Sequence, residues 1–205
     1  MLKIYGQARS RAFRVMWLCK ESNISYEHIP VTIHIDNAQA KEPWYRELNP
    51  NARIPTIDDD GFVMWESSAI NLYLAEKYAS PLWPTNTQGK GRMLQWAFFI
   101  ANDVEGPMIM VFQNRFAFPP EKRVAAIADE GEKKMLPRLA IIEQALAAKG
   151  HLGYERWDMA DFIASSVLYS LYAMKYDLSA FPHLDAWLKA SLSRPAAIEA
   201  IKLRG

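Results

Sequence analysis

Cysteine is almost missing from this chain: Cys19 is the only one in 205 residues. That excludes an internal disulfide and any zinc site built from clustered thiolates. Net charge is missing too, since 24 Lys and Arg face 23 Asp and Glu for a formal +1. Polyanion binders carry a basic face or a strongly basic pI, so no nucleic-acid partner is expected. No uncharged stretch reaches the ~18–20 residues that span a bilayer. The opening Met1-Leu2-Lys3-Ile4-Tyr5 has no apolar signal-peptide core. The expectation is a cytoplasmic protein in a reducing compartment, with no membrane partner. His28, His34, His151 and His183 share no ligand spacing, so no metal is expected. Gly89-Lys90-Gly91 lacks the phosphate-loop pattern, and Asp58-Asp59-Asp60-Gly61 lacks the rest of a calcium loop.

What is present is apolar mass: 50% hydrophobic residues against 23% charged, enough for a buried core. Residues 1–79 alternate strand and helix signals. Leu2–Tyr5 is a short apolar run, and Phe13, Met16, Trp17 and Cys19 give Arg11–Glu21 a helical pattern. Tyr26–Ile33 reads as an edge strand around Pro30. A short helix is expected over Lys41–Leu48. Ile54–Ile57 and Phe62–Trp65 flank an Asp-Gly turn as a hairpin, and Glu66–Tyr78 reads as a helix. The order β-α-β-α-β-β-α predicts a small mixed α/β domain. Residues 80–91, with Pro81, Pro84, Gly89 and Gly91, read as a linker. Residues 92–205 show no strand alternation and predict an all-α domain. Its elements are a long helix over Arg92–Phe116 bent near Gly106-Pro107, a helix over Pro120–Ala148, a charge-free helix over Phe162–Met174 buried on every side, and two more near the end.

Motifs in this layout resemble those of the cytosolic glutathione transferase superfamily. Asn49-Pro50-Asn51-Ala52-Arg53-Ile54-Pro55-Thr56-Ile57 is similar to the family's Asn-Pro-x-Gly-Lys-Val-Pro-x-Leu segment. Trp65-Glu66-Ser67-Ser68-Ala69-Ile70 is similar to its Glu-Ser-x-Ala-Ile motif. Trp157-Asp158-Met159-Ala160-Asp161 is similar to the capping motif of its buried sixth helix. The departures are Ala52 for Gly, Arg53 for Lys, Ile54 for Val and Asp158 for Ser or Thr. The resemblance implies a thioredoxin-like α/β N-terminal domain, an all-α C-terminal domain, glutathione as co-substrate, and a homodimer.

It also implies site residues. Ser67, at a strand-to-helix junction, would take the γ-glutamyl carboxylate, with Glu66 beside it. By itself a serine there is an ordinary N-cap, or part of a helix terminus that holds an anion. The Ile54–Pro55 bond would be cis, with the Ile54 main chain facing an extended peptide, whereas proline alone fits the opening of an edge strand. Arg53 would offer a fork to the other carboxylate, or is a solvated charge. Ser10, in the loop before the first helix and shortly ahead of Arg14, would donate its hydroxyl to the glutathione thiolate. Tyr5 is the runner-up for that role, although it closes an apolar strand. Arg9 and Arg11 would border the site, or are merely exposed charges. Asp158 and Asp161 read as a capping box, and Cys19 as a small core residue. The implied activity is addition of the glutathione sulfur to an electrophilic small molecule. The competing readings are a glutathione-binding protein with little turnover, used as a carrier or interaction module, and another glutathione-dependent reaction such as peroxide reduction, dehalogenation or isomerisation.

Overall fold

The computed structural model describes residues 1–33 and 38–205. These divide into two compact units, Met1–Trp83 with Arg194–Gly205, and Pro84–Ser193. His34, one of the histidines considered above, lies outside the described residues.

In the first unit β1 (Leu2–Tyr5) leads into α1 (Ala12–Glu21) and then β2 (Tyr26–Ile29), parallel to β1. After α2 (Pro43–Leu48) come the antiparallel strands β3 (Thr56–Asp59) and β4 (Phe62–Trp65), then α3 (Ser67–Lys77). The sheet order is β2-β1-β3-β4, with β1 antiparallel to β3. β2 lies at an edge and stops at Ile29, as the missing N–H of Pro30 favours. Asp60 at φ 55° and Gly61 at φ 92° make the β3–β4 turn, a left-handed pair whose twist suits a tight hairpin. β3 begins at Thr56 rather than at the expected Ile54. The Arg53 carbonyl is claimed by Tyr45 Oη at 2.7 Å and Asn49 Nδ2 at 2.8 Å instead of by a sheet ladder.

α1 buries Ala12 through Cys19, Arg14 included. It packs against α3 and against α9 (Pro195–Lys202), the last helix of the chain. Residues 92–205 were expected as one helical domain, but α9 belongs to the first unit. The reason is ionic as well as apolar. Arg194 grips Glu21 with two bonds of 2.8 and 2.7 Å, and Lys20 meets Glu199 at 3.0 Å.

The second unit is helical among its described residues: α4 (Thr87–Phe99), α5 (Glu105–Phe112), α6 (Ala125–Lys149), α7 (Met159–Ala173) and α8 (Pro182–Leu192). The segment read as a linker is already helical from Thr87. Asn86 starts α4 by accepting the Gly89 N–H at 2.7 Å, which places Gly89 and Gly91 inside the helix. Wide π-helical turns over Ile100–Val104 and Gln113–Ala117 flank α5. The first lies where the bend was expected, just ahead of Pro107, whose ring and missing N–H disrupt the ordinary α ladder. α7 is buried from Met159 to Leu168, but its last turn is buried only at Leu171, and Tyr172 is exposed. Tyrosine tolerates that position because its hydroxyl can remain in water.

Asp158 and Asp161 form the expected capping box. Asp158 Oδ1 accepts the Ala160 N–H at 2.8 Å, and Asp161 Oδ2 accepts the Asp158 N–H at 3.1 Å. Asp161 further accepts Leu152 N–H, Gly153 N–H and Trp187 Nε1–H at 2.7, 2.8 and 2.8 Å. These carboxylates organise backbone and are not an acid–base pair. No helix among the described residues is long and apolar enough to cross a membrane.

Candidate functional site

A groove in the first unit is lined by Arg11, Asn49, Asn51, Arg53, Ile54, Pro55, Trp65, Glu66 and Ser67. It gathers Arg53, Ile54, Glu66 and Ser67, the residues singled out in the sequence as binding candidates. The floor is built by the loop before β3. Asn49 Oδ1 accepts the Asn51 N–H at 3.0 Å, while Asn49 Nδ2 and Tyr45 Oη also reach the Thr56 hydroxyl, at 3.1 and 2.8 Å. Those bonds set the path from Asn49 to Thr56 and carry Ala52 at φ 52°. The Ile54–Pro55 peptide is cis. Ile54 is 7% exposed and joins Tyr5, Val31, Ala40 and Tyr45 in one apolar cluster, which leaves its main chain as its contribution to the groove.

The other wall is the start of α3. Glu66, at φ 77° and ψ 106°, occupies a region that costs an ordinary residue about 1–3 kcal/mol. It is the N-cap, and its side chain makes no capping bond. Ser67 is therefore the first helical residue rather than the cap expected of it. The opening N–H groups of α3, with the helix dipole behind them, favour an anion in the groove. Arg14 adds to this from inside the unit. It is 6% exposed, and its Nη1 lies 3.5 Å from Ser67 Oγ, to which it donates.

Ser10 is half-buried in the turn before α1. It is not among the groove residues, although Arg11 beside it is. Its hydroxyl donates to the Gln7 carbonyl at 2.6 Å and accepts the Ala12 N–H at 3.1 Å, one residue ahead of Arg11, the N-cap of α1. Gly6 leads into this turn at φ 140°, and a Cβ there would come within 3.1 Å of both Ala12 and Ile54; glycine lets the loop pass close to the groove floor. Tyr5, the runner-up, is a buried strand residue packed edge-on to Tyr45 at 6.4 Å, and burial pushes its phenol up. Cys19 is buried in α1, where burial pushes its thiol up to about 12; a thiol held protonated is a poor nucleophile. No group of His, Cys, Asp and Glu among the described residues is arranged to hold a metal ion.

Asn49, Asn51 and Trp65 also line the groove and lie within the motifs, which give no sign that these members turn toward it; Arg11 joins them from the loop before α1. Arg14 was noted for its place after Ser10, but nothing in the sequence indicated that it turns inward to Ser67.

Residues 1–76 match the family described as glutathione S-transferase, N-terminal domain, and residues 107–195 match glutathione S-transferase, C-terminal domain. Glutathione S-transferase D6 of Drosophila melanogaster is 25% identical over 92% of this chain and 86% of its own length. Glutathione S-transferase 4 of Zea mays is 28% identical over 96% of this chain and 90% of its own length. Among solved structures, the theta class glutathione S-transferase of Xanthomonas axonopodis pv. citri, determined with glutathione bound, superposes with a TM-score of 0.90. It is 28% identical and covers 98% of this chain and 96% of its own.

Proposed function

Because the chain belongs to the glutathione S-transferase family, we propose that it binds glutathione in the groove of its first unit, stabilises the thiolate and transfers the sulfur to an electrophilic carbon. The observation that carries this reading is the convergence of Arg53, the Ile54 main chain, Glu66 and Ser67 on one groove at the opening turn of α3. A tripeptide with two carboxylates calls for cations and an anion-favouring helix start, and the groove offers both. The Xanthomonas relative, at 28% identity, was solved with glutathione bound.

In this reading the γ-glutamyl carboxylate docks at Ser67 and the first turn of α3, backed by Arg14. The opposite carboxylate meets the Arg53 guanidinium, and the peptide backbone runs along Ile54. The Ser10 hydroxyl turns from the Gln7 carbonyl and donates to the sulfur. The thiol proton leaves to solvent. A sulfur lone pair then forms the new carbon–sulfur bond as the electrophile's leaving group departs, or as its π electrons take up a proton. Ser10 is a donor throughout and never the nucleophile. A homodimer and a cytoplasmic location belong to the same reading.

A second reading has a specific observation behind it. The Ser10 proton is already engaged at 2.6 Å with Gln7, which suits a protein that grips glutathione without activating it. Absorbance of the bound thiolate against pH separates the two. A free thiol titrates near ~8.5; on bound glutathione the midpoint is expected well below that. A hydrogen bond to a charged group contributes roughly 1.5–3 kcal/mol, so Ser10→Ala should return the midpoint toward the free value. It should also lower kcat about 10- to 100-fold while glutathione still binds. Identical titration of free and bound glutathione in both proteins defeats the transferase reading.

A further inference from the structure

The loop that carries Ser10 is fastened from far along the chain. Arg204, in the turn after α9, donates from Nη1 to the Ala8 carbonyl at 3.2 Å and to the Ser10 carbonyl at 3.3 Å. Its guanidinium carbon lies 5.0 Å from the centre of the Phe13 ring, inside cation–π range. Arg9 closes the loop in return, its Nε donating to the Arg204 carbonyl at 2.6 Å. Hydrogen bonds from an ionised donor are about twice as strong as neutral ones. Arg204 also acts from a fixed base, because Arg194–Glu21 and Lys20–Glu199 hold the start and the middle of α9 to α1.

The pattern of donation is selective. Arg204 takes the carbonyls of Ala8 and Ser10, and the Gln7 carbonyl is the acceptor of the Ser10 hydroxyl. The backbone on either side of the serine is thus held without any bond to the serine's own hydroxyl, which stays able to exchange one acceptor for another. We propose that Arg204 is a positioning residue for Ser10, holding the Ala8–Ser10 backbone in place while the hydroxyl turns from Gln7 to the sulfur of bound glutathione. This rests on the role given to Ser10 above.

A displacement of about 1 Å in a reacting group can reduce rate ~100-fold; a loosened loop that samples the right position part of the time loses less. Arg204→Ala is therefore expected to lower kcat about tenfold and to raise the titration midpoint of the bound thiol. KM for glutathione should stay within about twofold, because the groove of Arg53, Ile54 and Ser67 is untouched. Arg204→Lys keeps the charge and one donor but loses the planar fork and its stacking, so it should recover part of the loss. The sharpest readout is the double variant. If Arg204 acts through Ser10, Ser10→Ala with Arg204→Ala should be no slower than Ser10→Ala alone, a non-additivity that general destabilisation does not produce.

An Arg204→Ala protein with unchanged kcat and thiol midpoint overturns the inference. So does one that loses kcat and glutathione affinity in equal measure, or a double variant in which the losses multiply. Should Arg204→Ala fail to fold, Arg204→Lys and Arg9→Ala each weaken only part of the latch, and unchanged thiol midpoints in both overturn it equally. If Ser10→Ala itself leaves the bound thiol unaltered, the fault lies with the reading of Ser10, and the role of Arg204 falls with it. If Ser10→Ala raises the midpoint and the Arg204 variants do not, only Arg204 is at fault.

Discussion

Ser67 receives the Arg14 guanidinium from one side and opens a helix whose first N–H groups have no capping side chain from Glu66. Removing its hydroxyl deletes one partner of a charged ligand and also one partner of a buried cation. Ser67→Ala is expected to weaken glutathione binding about 10- to 100-fold, the range for a hydrogen bond to an ionised group. Titration calorimetry measures this, and unchanged affinity would remove Ser67 from the site. Individual residues were legible in the sequence where a motif keeps them adjacent. Arg53-Ile54 and Glu66-Ser67 are such pairs, and the structure brings both into one groove. Arg204 was not legible, because its carbonyl partner at Ser10 lies 194 positions away and no local pattern reports a contact at that distance. Arg14 was visible as a residue, but its burial against Ser67 is a consequence of how α1 meets α3.

Between elements, the far end of α3 is tied to the sheet by Asp59 of β3. That buried carboxylate accepts Tyr73 Oη at 3.0 Å, Lys77 Nζ at 2.7 Å and Tyr78 Oη at 2.8 Å. Burial pushes the Asp59 carboxyl up, but the bonds from Lys77, Tyr78 and Tyr73 together outweigh it and hold it below the ordinary carboxylate range. A carboxyl whose folded pKa is depressed contributes stability in full above its unfolded value, near ~3.9. That contribution drains away as pH falls through the lowered folded value. Asp59→Asn should therefore destabilise the first unit at neutral pH and flatten its loss of stability below about pH 4. Urea unfolding across pH tests this; parallel acid limbs for the two proteins would mean that Asp59 carries no such linkage. Helices and strands were predictable here from apolar spacing, and the capping box from Asp158 and Asp161. The start of β3 was not, since it depends on side chains of α2 and the following loop claiming the Arg53 carbonyl. The π-helical turns were not either, because a π turn and an α turn place nearly the same residue types inward.

For the whole molecule, the proposal of a homodimer has a surface to account for. β4 is an edge strand, and its Phe62 and Val63 are 50% and 37% exposed. An apolar edge of this kind invites a covering partner. Light scattering is expected to give about twice the chain mass of 23.5 kDa, and a value near one chain would refute the dimer. The division into an α/β part and a helical part was legible from the change in periodicity near residue 80. The return of the last helix to the first unit was not, because α9 looks like any other helix until its charges are matched to Glu21 and Lys20. That return makes the first unit discontinuous, interrupted by Pro84–Ser193. Ribosomes add ~5–20 residues per second, so on the order of ten seconds separates the emergence of Trp83 from that of α9. During that interval a nascent chain has every groove residue but not the strut that steadies its serine loop, and competence for chemistry should arrive only once α9 and Arg204 have emerged.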